Sequence, residues 1–144
     1  MTELTLEAAQ TIITAALKRG RDRSFLPLCV VVLDARGAVK ASAAQDGTSL
    51  SRFQIAYGKA FGCVAFGFGN RELLKRAQAM PHFTTAVGQL DGVSIVPVPG
   101  GVFMKDSAGN TLGAVGISGD TSDNDEECAL AGIQAAGFVA DTGA

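Results

Sequence analysis

The stretch Pro97–Cys128, PVPGGVFMKDSAGNTLGAVGISGDTSDNDEEC, carries the densest set of structural signals in the chain. Within it, the apolar segments Val102–Lys105 and Thr111–Ser118 flank the turn sequence Asp106-Ser107-Ala108-Gly109. Asp at the first position and Gly at the fourth are typical of a type I turn whose last residue has positive φ. The two segments are therefore predicted to pair as an antiparallel hairpin.

The same Asp-x-x-Gly pattern occurs earlier, at Asp34-Ala35-Arg36-Gly37. The preceding run, Leu28–Leu33, is short, continuous and rich in β-branched residues, which favours a strand that is covered on both faces. Residues 38–45 are predicted to return as its antiparallel partner. The chain thus contains two similar hairpins.

Helical spacing of apolar residues predicts the remaining elements. Helices are expected over residues 5–19, 51–66 and 71–79, and from Ser122 or Asp123 onward along a stripe of small residues (Ala129, Gly132, Ile133, Ala136, Ala140). His82 begins a further irregular or helical piece, and Val93–Val96 is a strand candidate. Together these elements predict an α+β fold, with a five-stranded, mainly antiparallel sheet and helices against its faces.

Composition limits the function classes. A chain of 144 residues predicts a single domain over residues 1–144. With 47% hydrophobic and only 18% charged residues, close packing of small side chains and a homo-oligomer are expected. The net charge of -2, with no basic block, argues against nucleic acid. No apolar run approaches the length of a membrane span, and Glu3 and Glu7 are atypical of a signal peptide, so a cytoplasmic protein is expected.

Few residues have the types and spacings that are typical of a catalytic or metal-binding site. His82 is the only histidine, and the three cysteines lie far apart, which is unlike a catalytic triad or a zinc site. Acidic residues crowd the predicted helix start (Asp123, Asp125, Glu126, Glu127), where they complement the helix dipole without any further function. If that helix start and Gly100-Gly101 face one cleft, the carboxylates could instead orient a ligand or carry protons.

Glycines interrupt the predicted helix 51–66 at Gly58 and Gly62, four residues apart. Glycine costs about 1 kcal/mol inside a helix, so a compensating reason is expected. Either tight helix-to-sheet packing or the close approach of a ligand or another backbone would supply it.

The chain resembles the GlcG/HbpS family, also called the haem-degrading or DUF336 family. The matching residues span nearly the whole chain: Leu4–Ala9, Val32–Gly37, Gly58-Lys59-Ala60, Pro99–Val102, Gly113–Gly119, Asp125-Glu126 and Cys128-Ala129. The resemblance implies a profilin-like three-layer α-β-α sandwich and commonly a homo-oligomer. It implies function more broadly, because members are linked to haem binding or breakdown, cobalamin-related operons and small-organic-acid catabolism.

Two hypotheses follow from that resemblance. In the first, the protein binds haem or another tetrapyrrole, with His82 or a Met on the iron and Phe66 and Phe68 lining the ring. In the second, it is a cofactor-independent enzyme acting on a small carboxylated metabolite by deamination, hydration or tautomerisation. The residues of this second hypothesis are Lys59 for a carboxylate, the Gly100-Gly101 amides for an oxyanion, and His82 or Asp125 for protons, with Gly58 and Glu126 among the ligand contacts. A scaffold that only builds an oligomer is the plainest alternative.

Overall fold

The computed structural model describes residues 3–144. Its elements are α1 (Leu6–Asp22), β1 (Cys29–Asp34), β2 (Val39–Ala44), α2 (Arg52–Phe66), α3 (Asn70–Ala79), α4 (Pro81–Gly88), β3 (Gly101–Lys105), β4 (Thr111–Ser118), α5 (Ser122–Ala135) and β5 (Val139–Asp141). The strands form one sheet in the order β2-β1-β4-β3-β5, and every neighbouring pair is antiparallel. The predicted α+β class is confirmed.

The sheet is covered on both faces. Alternate residues of β1 point to opposite sides: Val30 and Val32 pack beneath α1 and α5, whereas Val31 and Leu33 pack beneath α2. All four are fully buried, which explains the continuous apolar run in the sequence. The result is the three-layer α-β-α sandwich of the profilin-like class.

Both predicted hairpins are present. In the first, β1 pairs with β2, and Asp34 accepts hydrogen bonds from the backbone N–H groups of Arg36 and Ala38. In the second, β3 pairs with β4, and Asp106 accepts from the N–H groups of Ala108 and Asn110. The aspartate side chain thus stabilises each turn by the same local mechanism.

Four details of the sequence prediction are wrong. Residues 93–96 form no strand, and the fifth strand is β5, so Ala140 belongs to a strand rather than to the last helix. The first helix does not end at residue 19 as predicted, because α1 continues through Gly20 to Asp22. A Cβ at Gly20 would lie 2.8 Å from Leu28 Cδ1, so this glycine permits close packing inside the helix. The cap of α5 is Thr121, whose side chain accepts from the Asn124 N–H.

Candidate functional site

A buried salt bridge joins α2 to α5 beside the end of β4. Lys59 Nζ lies 3.0 Å from Asp125 Oδ2 and donates to the Ile117 carbonyl at 2.9 Å. Asp125 Oδ1 accepts from the Asp120 N–H. The two side chains are only 3% and 2% exposed, so the pair is enclosed by protein.

Burial determines the electrostatics of this pair. Desolvation lowers the pKa of Lys59 and is opposed by the attraction of Asp125. Desolvation likewise raises the pKa of Asp125, opposed by the attraction of Lys59. The loss of hydration thus outweighs the attraction on both sides. A substrate carboxylate could reach Lys59 only by displacing Asp125.

Gly100 and Gly101 lie against this pair. Gly100 has φ +112°, and a Cβ there would sit 2.8 Å from Lys59 Nζ. Gly101 is the register partner of Gly116 on β4, and Cβ atoms at these two positions would overlap the carbonyls of Lys59 and Ala56. Close approach of the α2 backbone therefore accounts for Gly101, whereas positive φ and the nearby Lys59 side chain and Ile117 carbonyl account for Gly100.

Gly58 is covered by the chain itself. The segment 93–98, here called the strap, runs along α2, where the Val96 N–H donates to the Gly58 carbonyl at 3.2 Å. A Cβ at Gly58 would lie 2.7 Å from Val96 Cγ2. At Gly58 the structure therefore supplies the approach of another backbone segment, whereas at Gly62 the close neighbours are the side chains of Leu73, Asn70 and Ile95.

Asn70 anchors the strap from the start of α3. Its side chain is fully buried, and its Nδ2 lies within 3.1 Å of the carbonyls of Lys59, Val96 and Val98. One amide group therefore connects α2, α3 and the strap. No sequence pattern indicates this role, because the three acceptors are backbone atoms far from Asn70 along the chain.

Glu126 binds Arg71 rather than facing an open cleft. The guanidinium of Arg71 contacts both carboxylate oxygens, with Nε at 2.9 Å from Oε2 and Nη2 at 2.9 Å from Oε1. Arg71 also donates to Asp123 at 2.8 Å. These hydrogen bonds to the two carboxylates raise the pKa of Arg71. The acids at the start of α5 are thus largely engaged by α2 and α3.

Phe66 and Phe68 stack on each other at the turn between α2 and α3, with ring centroids 5.8 Å apart. The guanidinium of Arg76 lies 4.5 Å from the centroid of the Phe68 ring. Arg76 itself is exposed and forms a 3.3 Å ion pair with Glu72. The two aromatic rings are half-buried, so part of this cluster faces solvent.

His82 lies in the first turn of α4, and its imidazole is exposed. It makes no hydrogen bond or ion pair with any of residues 3–144. The neighbouring apolar side chains are exposed as well, Met80 by 62% and Phe83 by 56%. Since α4 packs mainly against α3, this end of the molecule presents an unpartnered imidazole in an apolar setting.

The predicted site residues therefore do not meet at one place. Lys59, Asp125, Gly100 and Gly101 meet in the interior, Phe66 and Phe68 stack at the turn between α2 and α3, and His82 is on the surface with Met80 and Phe83. Within the part of the chain that the structure describes, no group of three or more His, Cys, Asp and Glu side chains is placed to hold a metal ion. None of the described helices is long and apolar enough to cross a membrane.

Comparison with known proteins gives one family. The model for haem degrading protein HbpS-like matches residues 4–134. No curated protein sequence matches the chain.

Solved structures share the fold. The haem complex of PduOC has a TM-score of 0.85 at 24% identity, covering 96% of this chain and 98% of that one. ORFY of Klebsiella pneumoniae, a DUF336 protein, has a TM-score of 0.84 at 22% identity over 95% and 93% of the two chains. A double mutant of HbpS from Streptomyces reticuli has a TM-score of 0.80 at 27% identity over 93% and 87%. With the family model matching nearly its whole length, the chain belongs to the HbpS-like family of haem degrading proteins.

Proposed function

We propose that this protein binds haem or a closely related tetrapyrrole, and that His82 is the axial ligand of the iron. The observation that carries the proposal is the exposed, unpartnered imidazole of His82 between exposed Met80 and Phe83. Membership of the HbpS-like family and the fold shared with the haem complex of PduOC support it.

Of the side chains in this chain that can bind haem iron, His82 is the most suitable. Proteins hold haem iron through His, Cys, Met or Tyr. The three cysteines are buried, and burial raises the pKa of Cys63 and raises that of Cys128 to about 12, so none offers an accessible thiolate. Met104 is fully buried too. Among residues 3–144, His82, Met80 and the half-buried Tyr57 remain, and neutral imidazole is the commonest metal ligand of the three.

A mostly apolar groove lies next to Pro81, the residue before His82. It has a volume of about 350 Å³, lies between α3, α4 and the strap, and does not include His82; its lining residues are Ala77, Pro81, Thr84, Thr85, Gly88, Gln89, Ile95 and Pro97. Binding sites for small molecules are typically such mostly apolar concavities with a few polar groups. Bound haem would supply redox-active iron, and the residues of this chain would supply an imidazole ligand and apolar contacts.

Haemin titration followed at the Soret band tests the proposal. Wild type should show a saturable spectral shift, and His82→Ala should weaken binding by tenfold or more and change the spectrum, because it removes the nitrogen ligand. Met80→Leu and Tyr57→Phe are matched controls that remove the other accessible donors at nearly constant shape, and both should leave the spectrum unchanged. A wild type without a saturable shift, or a His82→Ala spectrum identical to wild type, would contradict the assignment.

The enzyme hypothesis gains no specific support from the geometry. Its carboxylate-binding residue, Lys59, is 3% exposed and already paired with Asp125. Of its two candidate proton carriers, His82 is exposed on α4, and Asp125 is the buried partner of Lys59. Those catalytic roles stay predictions from the sequence, as do the cytoplasmic location and self-association.

A further inference from the structure

We propose that two copies of this chain pair through the free edge of β2, so that their sheets join into one continuous antiparallel sheet. β2 is the outermost strand in the order β2-β1-β4-β3-β5, and among the described residues its strand partner is β1. Its other edge therefore presents backbone N–H and C=O groups that no strand binds, and such an edge is a template for an added strand. Pairing of this kind is independent of haem binding.

The pairing of β1 with β2 shows which backbone groups face outward. The Gln45 N–H donates to the Leu28 carbonyl at 2.9 Å, and in an antiparallel ladder every second residue bonds to the same neighbour, so Ala43 also bonds to β1. Ser42 and Ala44 therefore direct their N–H and C=O groups away from the sheet. When Ala43 faces Ala43 of a second copy, Ser42 of each copy exchanges backbone hydrogen bonds with Ala44 of the other.

The same register places opposite charges together. With Ala43 at the centre, Lys40 of each copy comes opposite Asp46 of the other, so an ion pair forms at both ends of the junction. Both side chains are exposed, and neither forms an ion pair with any of residues 3–144. A shift of two residues in either direction puts Lys40 opposite Ala44 or Thr48 and loses both ion pairs. A second copy of this chain, in this register, is therefore the partner that fits the edge.

The centre of the edge permits close pairing. Residues 41–44 are Ala-Ser-Ala-Ala, with no charge and no proline to block another strand. The bulge in the pairing of β1 with β2 falls at Lys40, before these residues. On the side of α2, Ser42 and Ala44 are exposed, whereas α1 contacts the other face of β2.

The stacked rings of Phe53, Tyr57 and Phe61 on α2 border this junction. A Cβ at Gly37, in the turn between β1 and β2, would lie 3.2 Å from Phe61 Cε2, so the rings lie on the β1–β2 side of α2. Directly opposed residues of paired strands point to the same face. The two α2 helices would therefore lie on one face of the joined sheet, with their aromatic rings facing each other across the junction.

Cysteine cross-linking tests the pairing and its register. Ala43→Cys should give a disulfide-linked dimer under mild oxidation, because the two copies of residue 43 form a non-hydrogen-bonded pair with Cα atoms about 4.5 Å apart, which a disulfide spans. Ala41→Cys is the matched control on the same strand and face, since its two copies would lie roughly 13 Å apart. Wild type gives the background, because Cys29, Cys63 and Cys128 are buried. Non-reducing gel electrophoresis measures the covalent dimer.

Charge reversal tests the ion pairs without a covalent bond. Lys40→Asp alone and Asp46→Lys alone should each raise the dissociation constant of the dimer about tenfold or more, because each creates two like-charge contacts per dimer. An equimolar mixture of the two variants should dimerise as well as wild type, since each chain then meets the opposite charge in the other. Lys75→Asp, at an exposed position on α3, is the control and should not change the mass. Analytical ultracentrifugation provides the measurement.

A covalent dimer of Ala43→Cys together with restored dimerisation of the mixture supports pairing through β2. A monomeric wild type overturns it, whether the edge is then free or binds a different chain. An oligomer in which Ala43→Cys does not cross-link, or in which Ala41→Cys cross-links equally well, overturns it too, because the copies then meet elsewhere or in another register. An oligomer that charge reversal leaves unchanged has the same consequence.

Discussion

The buried contact between Lys59 and Asp125 poses the main energetic question at the scale of single residues. Two charges removed from water lose hydration that their mutual attraction repays only with good geometry. Here the attraction is supplemented by hydrogen bonds to the Ile117 carbonyl and from the Asp120 N–H. The pair therefore fixes α2 against α5 but adds little to the net stability of the fold.

A double-mutant cycle checks this interpretation. Lys59→Met and Asp125→Leu should each lower the free energy of unfolding by about 3 kcal/mol or more, because each leaves an uncompensated charge in the interior. The double variant should lose much less than the sum, since no buried charge remains. Urea denaturation provides the measurement.

The exposed pair Lys18–Asp22, at 2.6 Å, is the matched control of the same chemistry. Lys18→Met and Asp22→Leu should show little coupling, because solvent screens the pair. If the Lys59 and Asp125 effects simply add, the buried pair is not the coupled unit described here.

At the scale of elements, a single side chain supplies the strap with hydrogen bonds of the kind that a neighbouring strand supplies in a sheet. Residues 93–98 have no strand partner, yet Asn70 satisfies the carbonyls of Val96 and Val98, and the Val96 N–H donates to Gly58. The strap thereby covers the face of α2 that contains Gly58 and Gly62. Its order should depend on Asn70 more than on its own sequence.

Replacing Asn70 tests that dependence. Asn70→Ala should lower the free energy of unfolding by about 2–3 kcal/mol, because buried carbonyls lose their donor. Backbone amides of the strap should also exchange with solvent faster than in wild type, measured by hydrogen–deuterium exchange. Asn110→Ala is the control, since its exposed side chain contacts only the Asp106 turn. Unchanged exchange in the strap would show that Asn70 is not its anchor.

The elements that sequence predicts well are those with local causes. Both Asp-x-x-Gly hairpins are of this kind, because the aspartate bonds to its own turn. Apolar and β-branched residues predict a strand over Val93–Val96, but in the structure this segment forms hydrogen bonds to Asn70 and Gly58. β5 has only three residues next to an alanine-rich helix, so its pattern could not be separated from a continuation of α5.

At the scale of the whole molecule, the fold was more predictable than the site. The sandwich follows from hydrophobic periods and turns, whereas the Lys59–Asp125 pair joins residues 66 positions apart. Residue type alone makes Lys59, Asp125 and His82 candidate site residues. Only the structure shows that Lys59 and Asp125 form an enclosed pair and that the imidazole of His82 is exposed. Asn70 belongs to no motif, so the sequence alone does not indicate that it anchors the strap.

Surface composition predicts that the protein associates with copies of itself through α2. Phe53, Tyr57 and Phe61 stack in a row along this helix, with ring centroids 6.2 and 5.7 Å apart. Leu50, just before the helix, is 93% exposed, and Phe53 is 41% exposed. Contiguous apolar surface of this kind marks an interaction site, because its contact with water is unfavourable.

Light scattering coupled to size-exclusion chromatography measures this association. Wild type should elute with the mass of an oligomer, and the double variant Leu50→Ser with Phe53→Ser should shift toward the monomer while circular dichroism stays unchanged, since neither side chain belongs to the buried core. Leu26→Ser is the control, because Leu26 is 63% exposed outside α2 and should not alter the mass. A monomeric wild type would refute self-association. An oligomer that survives the double variant would place the interface on another face, and exposed Met80 and Phe83 beside His82 would be the next positions to substitute.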